Sequence, residues 1–425
     1  MQILIVGINF HPELTGIGKY TGEMAGYLHE KGLEVRVITA PPYYPYWQIQ
    51  PGYKGWQYRY ENWNGIPVIR TPLWVPARPT GLKRLLHLFS FAISSFPALL
   101  SQMAWHPDII FCVAPNFMNA PFALLAARLC GAKFWIHIQD FEVDTAFGLG
   151  MLPGGKRLLP LATAFEKAVL RRADHVSTIS ENMGIKAMQK GVPRERLGLF
   201  PNWVDTQQIF PLNGTSELRA KLGIPIDKLV VLYHGSMGRK QGLEILIEAA
   251  KTISGNPAIL FILCGEGVAR QDLELLASNL DNVRFLDVQP DDRLNELVNL
   301  ADLHVLPQIA SAGDLVMPSK LTSMLSSGKA VIGCAHPGTQ VWQILQKTGY
   351  LISPEDSTQL VKAINELAGN PKERERLGKL GRAYAKQHME REVILSEVLE
   401  AIKNLPKGKN IYSSGYRPVS EKLDD

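Results

Sequence analysis

Twice in this 425-residue chain a continuous apolar strand runs into a glycine-bearing turn and on into a helical pattern. The first time, Gln2-Ile3-Leu4-Ile5-Val6 leads to Thr15-Gly16-Ile17-Gly18 and a helix with Met24, Tyr27 and Leu28 on one face. The second time, Leu229-Val230-Val231-Leu232-Tyr233 leads to a glycine-rich loop and a helix over 243–253. A strand without a polar face is buried on both sides, which calls for a parallel sheet covered by helices. A restart of that pattern calls for a second sheet. The chain is therefore expected to be α/β, with two facing Rossmann-like doubly wound domains and an interdomain cleft.

Further strands are expected at 35–39, 68–70, 109–113, 134–137 and 175–179 in the first half. In the second they fall at 259–264, 283–286 and 303–306, before a helix from about Pro318. The halves join near Pro201-Asn202-Trp203-Val204-Asp205. This sets an N-terminal Rossmann-like domain at 1–205 and a second Rossmann-like domain at 206–384. A C-terminal helix at 385–406 is expected to pack back on the first domain, ahead of a polar tail at 407–425. At 46% hydrophobic and 20% charged residues, neither half reads as disordered.

Residues 1–205 hold 20 Lys and Arg against 14 Asp and Glu, whereas the remainder holds 25 against 26. The first half is thus expected to face something anionic, such as a membrane surface or a phosphorylated acceptor. Nucleic acid is not the expected partner, because no Lys/Arg stripe with interleaved aromatics occurs. Segment 82–103 is apolar but contains Lys83, Arg84, His87, several serines and Pro97. It is expected to be a buried or membrane-surface helix rather than a span. The aromatic loop from Tyr43 to Trp47 suits headgroup depth. Cys112, Cys130, Cys264 and Cys334 are widely spaced without a CxxC pair, which fits reduced thiols in a cytoplasmic protein. The opening strand lacks the basic-then-apolar run of a signal peptide.

The candidate site residues cluster at strand ends. Gly16 and Gly18 leave backbone open at a helix start, where a phosphate or sugar is accepted. A dinucleotide cofactor is disfavoured because the second strand ends Ile38-Thr39-Ala40-Pro41, without the carboxylate that holds a ribose; no cofactor is expected. His234-Gly235-Ser236-Met237-Gly238-Arg239-Lys240-Gln241-Gly242 sets two cations beside a helix start, a combination suited to a diphosphate. Cys264-Gly265-Glu266-Gly267 is another glycine turn at a strand's carboxyl end. Asp314, in the loop before Pro318-Ser319-Lys320, is placed to bond sugar hydroxyls, and Ser319 and Lys320 stand near a positive helix end. In the first half, His137 and Asp140 close a buried strand at the edge where active residues of open sheets collect. Asp140, Glu142 and Asp144 alternate, but no further ligands accompany them and no metal site is expected.

Taken in order, these motifs resemble the retaining family 4 glycosyltransferases of the GT-B fold. They are the glycine loop, the strand-end His137, Pro201-Asn202-x-x-Asp205, the Arg239-Lys240 turn, Gly265-Glu266-Gly267 and Pro318-Ser319-Lys320. Gly7-Ile8-Asn9-Phe10-His11-Pro12-Glu13 through Tyr20, with Ile138-Gln139-Asp140-Phe141, resembles the WcaI-like colanic acid and exopolysaccharide branch. The resemblance implies donor phosphates on Lys240 with Arg239 beside it, nucleotide along Gly265–Gly267, and His137 against the transferred sugar. The family's paired glutamates fall on Asp314 and Thr322, so the usual second carboxylate on the ribose is absent. It further implies metal-independent, retaining transfer from a nucleotide diphosphate sugar to a polyprenyl-linked glycan, peripherally at the inner face of the membrane. A sugar-nucleotide epimerase of the same fold and a non-catalytic sugar-binding protein remain as alternatives at this point.

Overall fold

The computed structural model describes residues 1–13, 16–77, 81–141, 155–310 and 318–405, with the backbone alone at 155–158 and 240. Two compact units divide it. One comprises residues 1–201 with 395–405, and the other Asn202–Ile394.

Segments rich in Ile, Val and Phe, apolar at nearly every position, become the central strands of the first unit. Its strands are β1 (Gln2–Gly7), β2 (Glu34–Thr39), β3 (Arg59–Trp63), β4 (Ile66–Arg70), β5 (Ile109–Ala114), β6 (Lys133–Ile138), β7 (His175–Thr178) and β8 (Leu197–Leu199). They lie in the order β3-β4-β2-β1-β5-β6-β7-β8. All neighbours are parallel except β3 and β4. Strand order turns back at β1, which pairs with β2 on one side and β5 on the other, so the switch point opens at the carboxyl ends of β1 and β5. The antiparallel pair β3–β4 turns on Asn64 and Gly65, both with positive φ (49° and 88°), the hairpin geometry that Asn-Gly favours.

Helices α1 (Ile17–Glu30), α2 (Gly81–Gln102), α3 (Ala120–Cys130), α4 (Gly155–Leu170) and α5 (Glu181–Gln189) accompany this sheet. Helix α2 turns Leu88 and Phe91 onto Ile8, Ala40, Tyr43 and Leu73. With its short extension to Trp105 it is long and apolar enough to cross a membrane by length and composition, and 44% of its most apolar window is buried in the structure. Its other face carries exposed Leu82, Leu86, Phe89, Ile93 and Leu100.

The aromatic loop departs from the expected headgroup position. Tyr43 is buried, with its ring 4.7 Å from His87 of α2, and Trp47 packs 5.2 Å from the same imidazole. Within 43–47 only Tyr46 is exposed, because the loop is drawn down onto α2.

Among the described residues the second unit repeats the plan with six parallel strands. These are β9 (Leu229–His234), β10 (Ile259–Cys264), β11 (Val283–Leu286), β12 (Leu303–Leu306), β13 (Ala330–Cys334) and β14 (Tyr350–Ile352). Their order is β11-β10-β9-β12-β13-β14, so the switch point lies between β9 and β12. Helices α6 (Glu217–Lys221), α7 (Glu244–Thr252), α8 (Arg270–Leu276), α9 (Leu294–Asn299), α10 (Lys320–Ser326), α11 (Gln340–Thr348), α12 (Ser357–Gly369) and α13 (Pro371–His388) follow in turn, and α14 (Arg391–Asn404) belongs to the first unit from Leu395 on. Val231, Phe261, Leu303 and Ile332 of the sheet pack against Leu246 of α7 and Leu360 and Ile364 of α12. Cys112, Cys264 and Cys334 are free and buried, and burial pushes each thiol up to about 12.

Candidate donor-binding turns and the strand-edge histidine

At the carboxyl ends of β9 and β10 the two glycine turns are fastened to each other. Gly235 N–H donates to Cys264 O at 2.9 Å and Met237 N–H to Glu266 O at 2.7 Å. Ala269 N–H returns to Met237 O at 2.9 Å. Contact is so close that a Cβ on Gly265 would stand 1.9 Å from Gly235 O, and one on Gly267 2.4 Å from Met237 O. These positions need glycine because backbone lies against backbone there. Glu266 pairs with Arg270, which also holds Glu274 and Asp287 and is raised by those carboxylates.

Lys320 opens α10 and stretches back over the Gly235 turn, where a Cβ on Gly235 would meet its Cε at 3.1 Å and Nζ at 3.2 Å. Its ammonium donates to the Tyr233 hydroxyl at 2.5 Å, and that hydroxyl donates to Ser236 O at 2.5 Å. His234, the last residue of β9, is buried with Nε2 3.1 Å from Ser323 Oγ. Burial pushes its imidazole down to about 3. The helix begins at Lys320 rather than Pro318; Ser319 holds the cap position without a side-chain cap bond. Arg239 is exposed on the single turn Arg239–Gln241 that also carries Lys240. Thr322, at the family's second glutamate position, is buried and donates to Ser319 O at 2.9 Å. Asp314 lies outside the described residues.

In the first unit, period-two alternation puts Trp135 and His137 on one face of β6. Trp135 Nε1 donates to Ser177 Oγ at 2.8 Å, and His137 Nδ1 lies 2.9 Å from the same oxygen. Gln139 Nε2 is 3.0 Å from His137 Nε2. An amide nitrogen is a donor only, so Nε2 accepts and the ring proton sits on Nδ1, directed to Ser177. Burial pushes this imidazole down to about 3, and it is neutral at physiological pH. Asp140 follows, half-buried, just past the strand. Glu142 and Asp144 fall outside the described residues, among which no group of three or more His, Cys, Asp or Glu is placed to hold a metal.

Gly16 stands at the start of α1 with φ 64°, and Gly18 makes room for Glu13, whose Cβ would be 2.7 Å from a Cβ there. Glu13 is buried and accepts from Asn9 Nδ2 at 2.8 Å and from the Tyr43 and Tyr44 amides at 2.9 and 3.0 Å. It ties the β1 loop to the aromatic loop and is raised by burial despite those donors. Sequence reasoning quoted Glu13 and Gln139 within motifs but gave them no role, and it did not single out Ser177 or Tyr233, which have no motif spacing to expose them.

Two doubly wound α/β units in series, the second with its glycine turns and Lys320 at the switch point, define the GT-B class of transferase. Sucrose-phosphate synthase from Thermosynechococcus elongatus superposes with a TM-score of 0.77 at 20% identity, over 96% of this chain and 99% of that one. Anabaena HepE, solved in complex with UDP and glucose, gives 0.69 at 16% identity over 95% and 99%. Residues 15–203 match the glycosyl transferase 4-like domain, and residues 214–384 match glycosyl transferases group 1. Putative colanic acid biosynthesis glycosyl transferase WcaI of Escherichia coli (strain K12) is 42% identical over 412 residues, 95% of this chain and all of that protein. The chain belongs to the family 4 glycosyltransferases, in their WcaI-like branch, and is a glycosyltransferase.

Proposed function

We propose that this enzyme transfers a sugar, with retention, from a nucleotide diphosphate sugar to a polyprenyl-linked glycan in cell-surface polysaccharide synthesis. The observation that carries the donor half is the pair of fastened glycine turns, with Lys320 drawn across Gly235. Backbone amides without side chains, beside cations, suit a leaving diphosphate and lower the barrier by neutralising its growing charge. The complexes of HepE with UDP and UDP-glucose support that donor class, and the naming of WcaI for colanic acid biosynthesis supports the polysaccharide context. In this reading Arg239 and Lys240 hold the phosphates, Gly265–Gly267 borders the nucleotide, and Ser319 helps replace the missing second glutamate. Gly16 and Gly18 are further donor contacts in this reading. Asp314, Asp140 and His137 serve the sugar, with Gln139 the partner His137 Nε2 would exchange. Lys240→Ala is expected to weaken donor binding by about 1.5–3 kcal/mol, the range of a charged hydrogen bond. Calorimetric titration of the folded variant measures it, and unchanged affinity would remove Lys240 from the site.

The acceptor half of the proposal has the protein act at the cytoplasmic face of a membrane. On α2 the exposed apolar residues recur at three-, four- and seven-residue spacings, which is one helix face. Leu125 and Leu129 of α3 are exposed too. No Asp or Glu occurs between Glu61 and Asp108, or between Asp108 and Asp140, whereas Lys83, Arg84 and Arg128 do. A cationic, apolar surface binds anionic lipid, at about 1 kcal/mol for each cation near the headgroups. Co-sedimentation with anionic vesicles is expected to fall as salt rises, and to fall again when Lys83 and Arg84 become Gln. Equal binding to neutral and anionic vesicles would defeat the electrostatic part. Retention after alkaline washing would mean a spanning helix instead.

A further inference from the structure

Tyr233 is the penultimate residue of β9, fully buried, and its sequence context marks it only as core. Its hydroxyl nevertheless joins two parts of the donor site. It accepts from Lys320 Nζ at 2.5 Å and donates to the Ser236 carbonyl at 2.5 Å, while the Lys320 ammonium lies 4.1 Å from its ring centroid. A lysine ends a four-carbon stem with much rotamer freedom, and ordering it costs free energy that a preorganised site must offset in advance. The phenol does this twice over. The ring face attracts the cation, and the hydroxyl fixes its direction. Through the Ser236 carbonyl the same group also holds the 235–237 turn, which Gly235 N–H and Met237 N–H fasten to Cys264 O and Glu266 O at 2.9 and 2.7 Å.

We infer that Tyr233 is a positioning residue for donor binding, setting the Lys320 ammonium and the 235–237 turn in register for the diphosphate of the nucleotide. The inference rests on the proposal that Lys320 belongs to the donor site. It adds that this lysine works only where Tyr233 holds it. Recognition of a diphosphate, as distinct from the nucleoside, is then a joint property of a buried phenol and a partly buried amine.

Phenylalanine at 233 keeps the ring under the ammonium and removes both hydroxyl bonds, so Tyr233→Phe is the informative change. UDP, GDP, ADP and their monophosphates are titrated into the full-length protein, and the base that wild type binds most tightly is carried forward. The readout is the ratio of diphosphate to monophosphate affinity, which a general loss of packing would not move selectively. Tyr233→Phe is expected to lower that ratio about five- to tenfold while leaving monophosphate affinity near wild type. Lys320→Met is expected to lower it at least as far, and the double variant no further than Lys320→Met alone. An unchanged ratio in Tyr233→Phe beside a reduced one in Lys320→Met would overturn the positioning role and leave the donor site standing. Equal loss of mono- and diphosphate in Tyr233→Phe would reduce the residue to a packing role. An unchanged ratio in Lys320→Met, or no binding of any nucleotide by wild type, would instead remove Lys320 from the donor site and the inference with it.

Discussion

Gly265→Ala is expected to lower the melting temperature of the second unit by about 5–15 °C and to weaken nucleotide binding at least tenfold. The added methyl would start 1.9 Å from the Gly235 carbonyl, and the backbone there holds φ near 150°. Strain at such a conformation costs about 1–3 kcal/mol, and forcing two backbones apart adds about as much again. For a unit of this size each kcal/mol shifts the midpoint by roughly 2–4 °C. Relief of the clash moves the 235–237 turn, and the Lys320 ammonium rests on that turn. Binding therefore falls even at temperatures where the variant stays folded. Gly255→Ala is the control, since a Cβ there meets nothing within 4 Å and its φ is not positive. If Gly265→Ala melts with wild type and binds nucleotide normally, the fastening of the two turns does not build the site.

That prediction concerns a place where the sequence was readable. The second strand–turn–helix start at Leu229 needs only apolar continuity and clustered glycines, and both are local signals. The hairpin β3–β4 was readable in principle, through Asn64-Gly65, but its strands lack clean alternation. Glu61 faces Arg70 of the neighbouring strand, a partner that only tertiary structure supplies. β8 and β14 are three residues long and leave too little period to detect.

The site was legible by position rather than by geometry. His137 was placed at the right strand edge, yet nothing local foretells that Ser177, forty residues away, holds its Nδ1. Nor does Pro318 reveal that the helix waits until Lys320, or Tyr43 that its amide belongs to Glu13. Each depends on contacts between distant segments, which spacing does not encode. Gly265 and Gly267 were read as room for a nucleotide, whereas the contact that demands glycine there is with the neighbouring turn.

Mild acid is expected to destabilise both units well before carboxylate protonation would. Burial pushes His87 down to about 4 and His137 and His175 down to about 3 in the first unit. In the second, burial lowers His234 to about 3 and His304 well below its ordinary value. Among the described residues, His87 Nε2 and His234 Nδ1 are buried without a hydrogen-bond partner, so a proton added to either would have no acceptor. Each folded pKa lies below the unfolded value of about 6.5, so the unfolded chain takes up protons first as pH falls. The contribution to stability is complete above pH 6.5 and is lost below it, toward the folded values. By pH 5 that amounts to about 2 kcal/mol for each of His87, His137, His175 and His234, hence about 6 for the first unit and about 2 for the second, where His304 adds in the same direction. Losses of that size rival the whole stability of an ordinary domain. Glu13, Glu181 and Glu397 are raised by burial and act with the opposite sign, favouring the folded state as they protonate, so the fall in the first unit flattens at lower pH. Urea unfolding of the full chain at pH 7.5, 6 and 5 measures the effect, with the steeper loss expected in the first unit. His175→Phe, beside Trp135 at 4.1 Å, is expected to reduce proton uptake on unfolding of that unit by about one. A midpoint that stays level from pH 7.5 to 5 would mean that these histidines are already charged, or hydrated, in the folded protein.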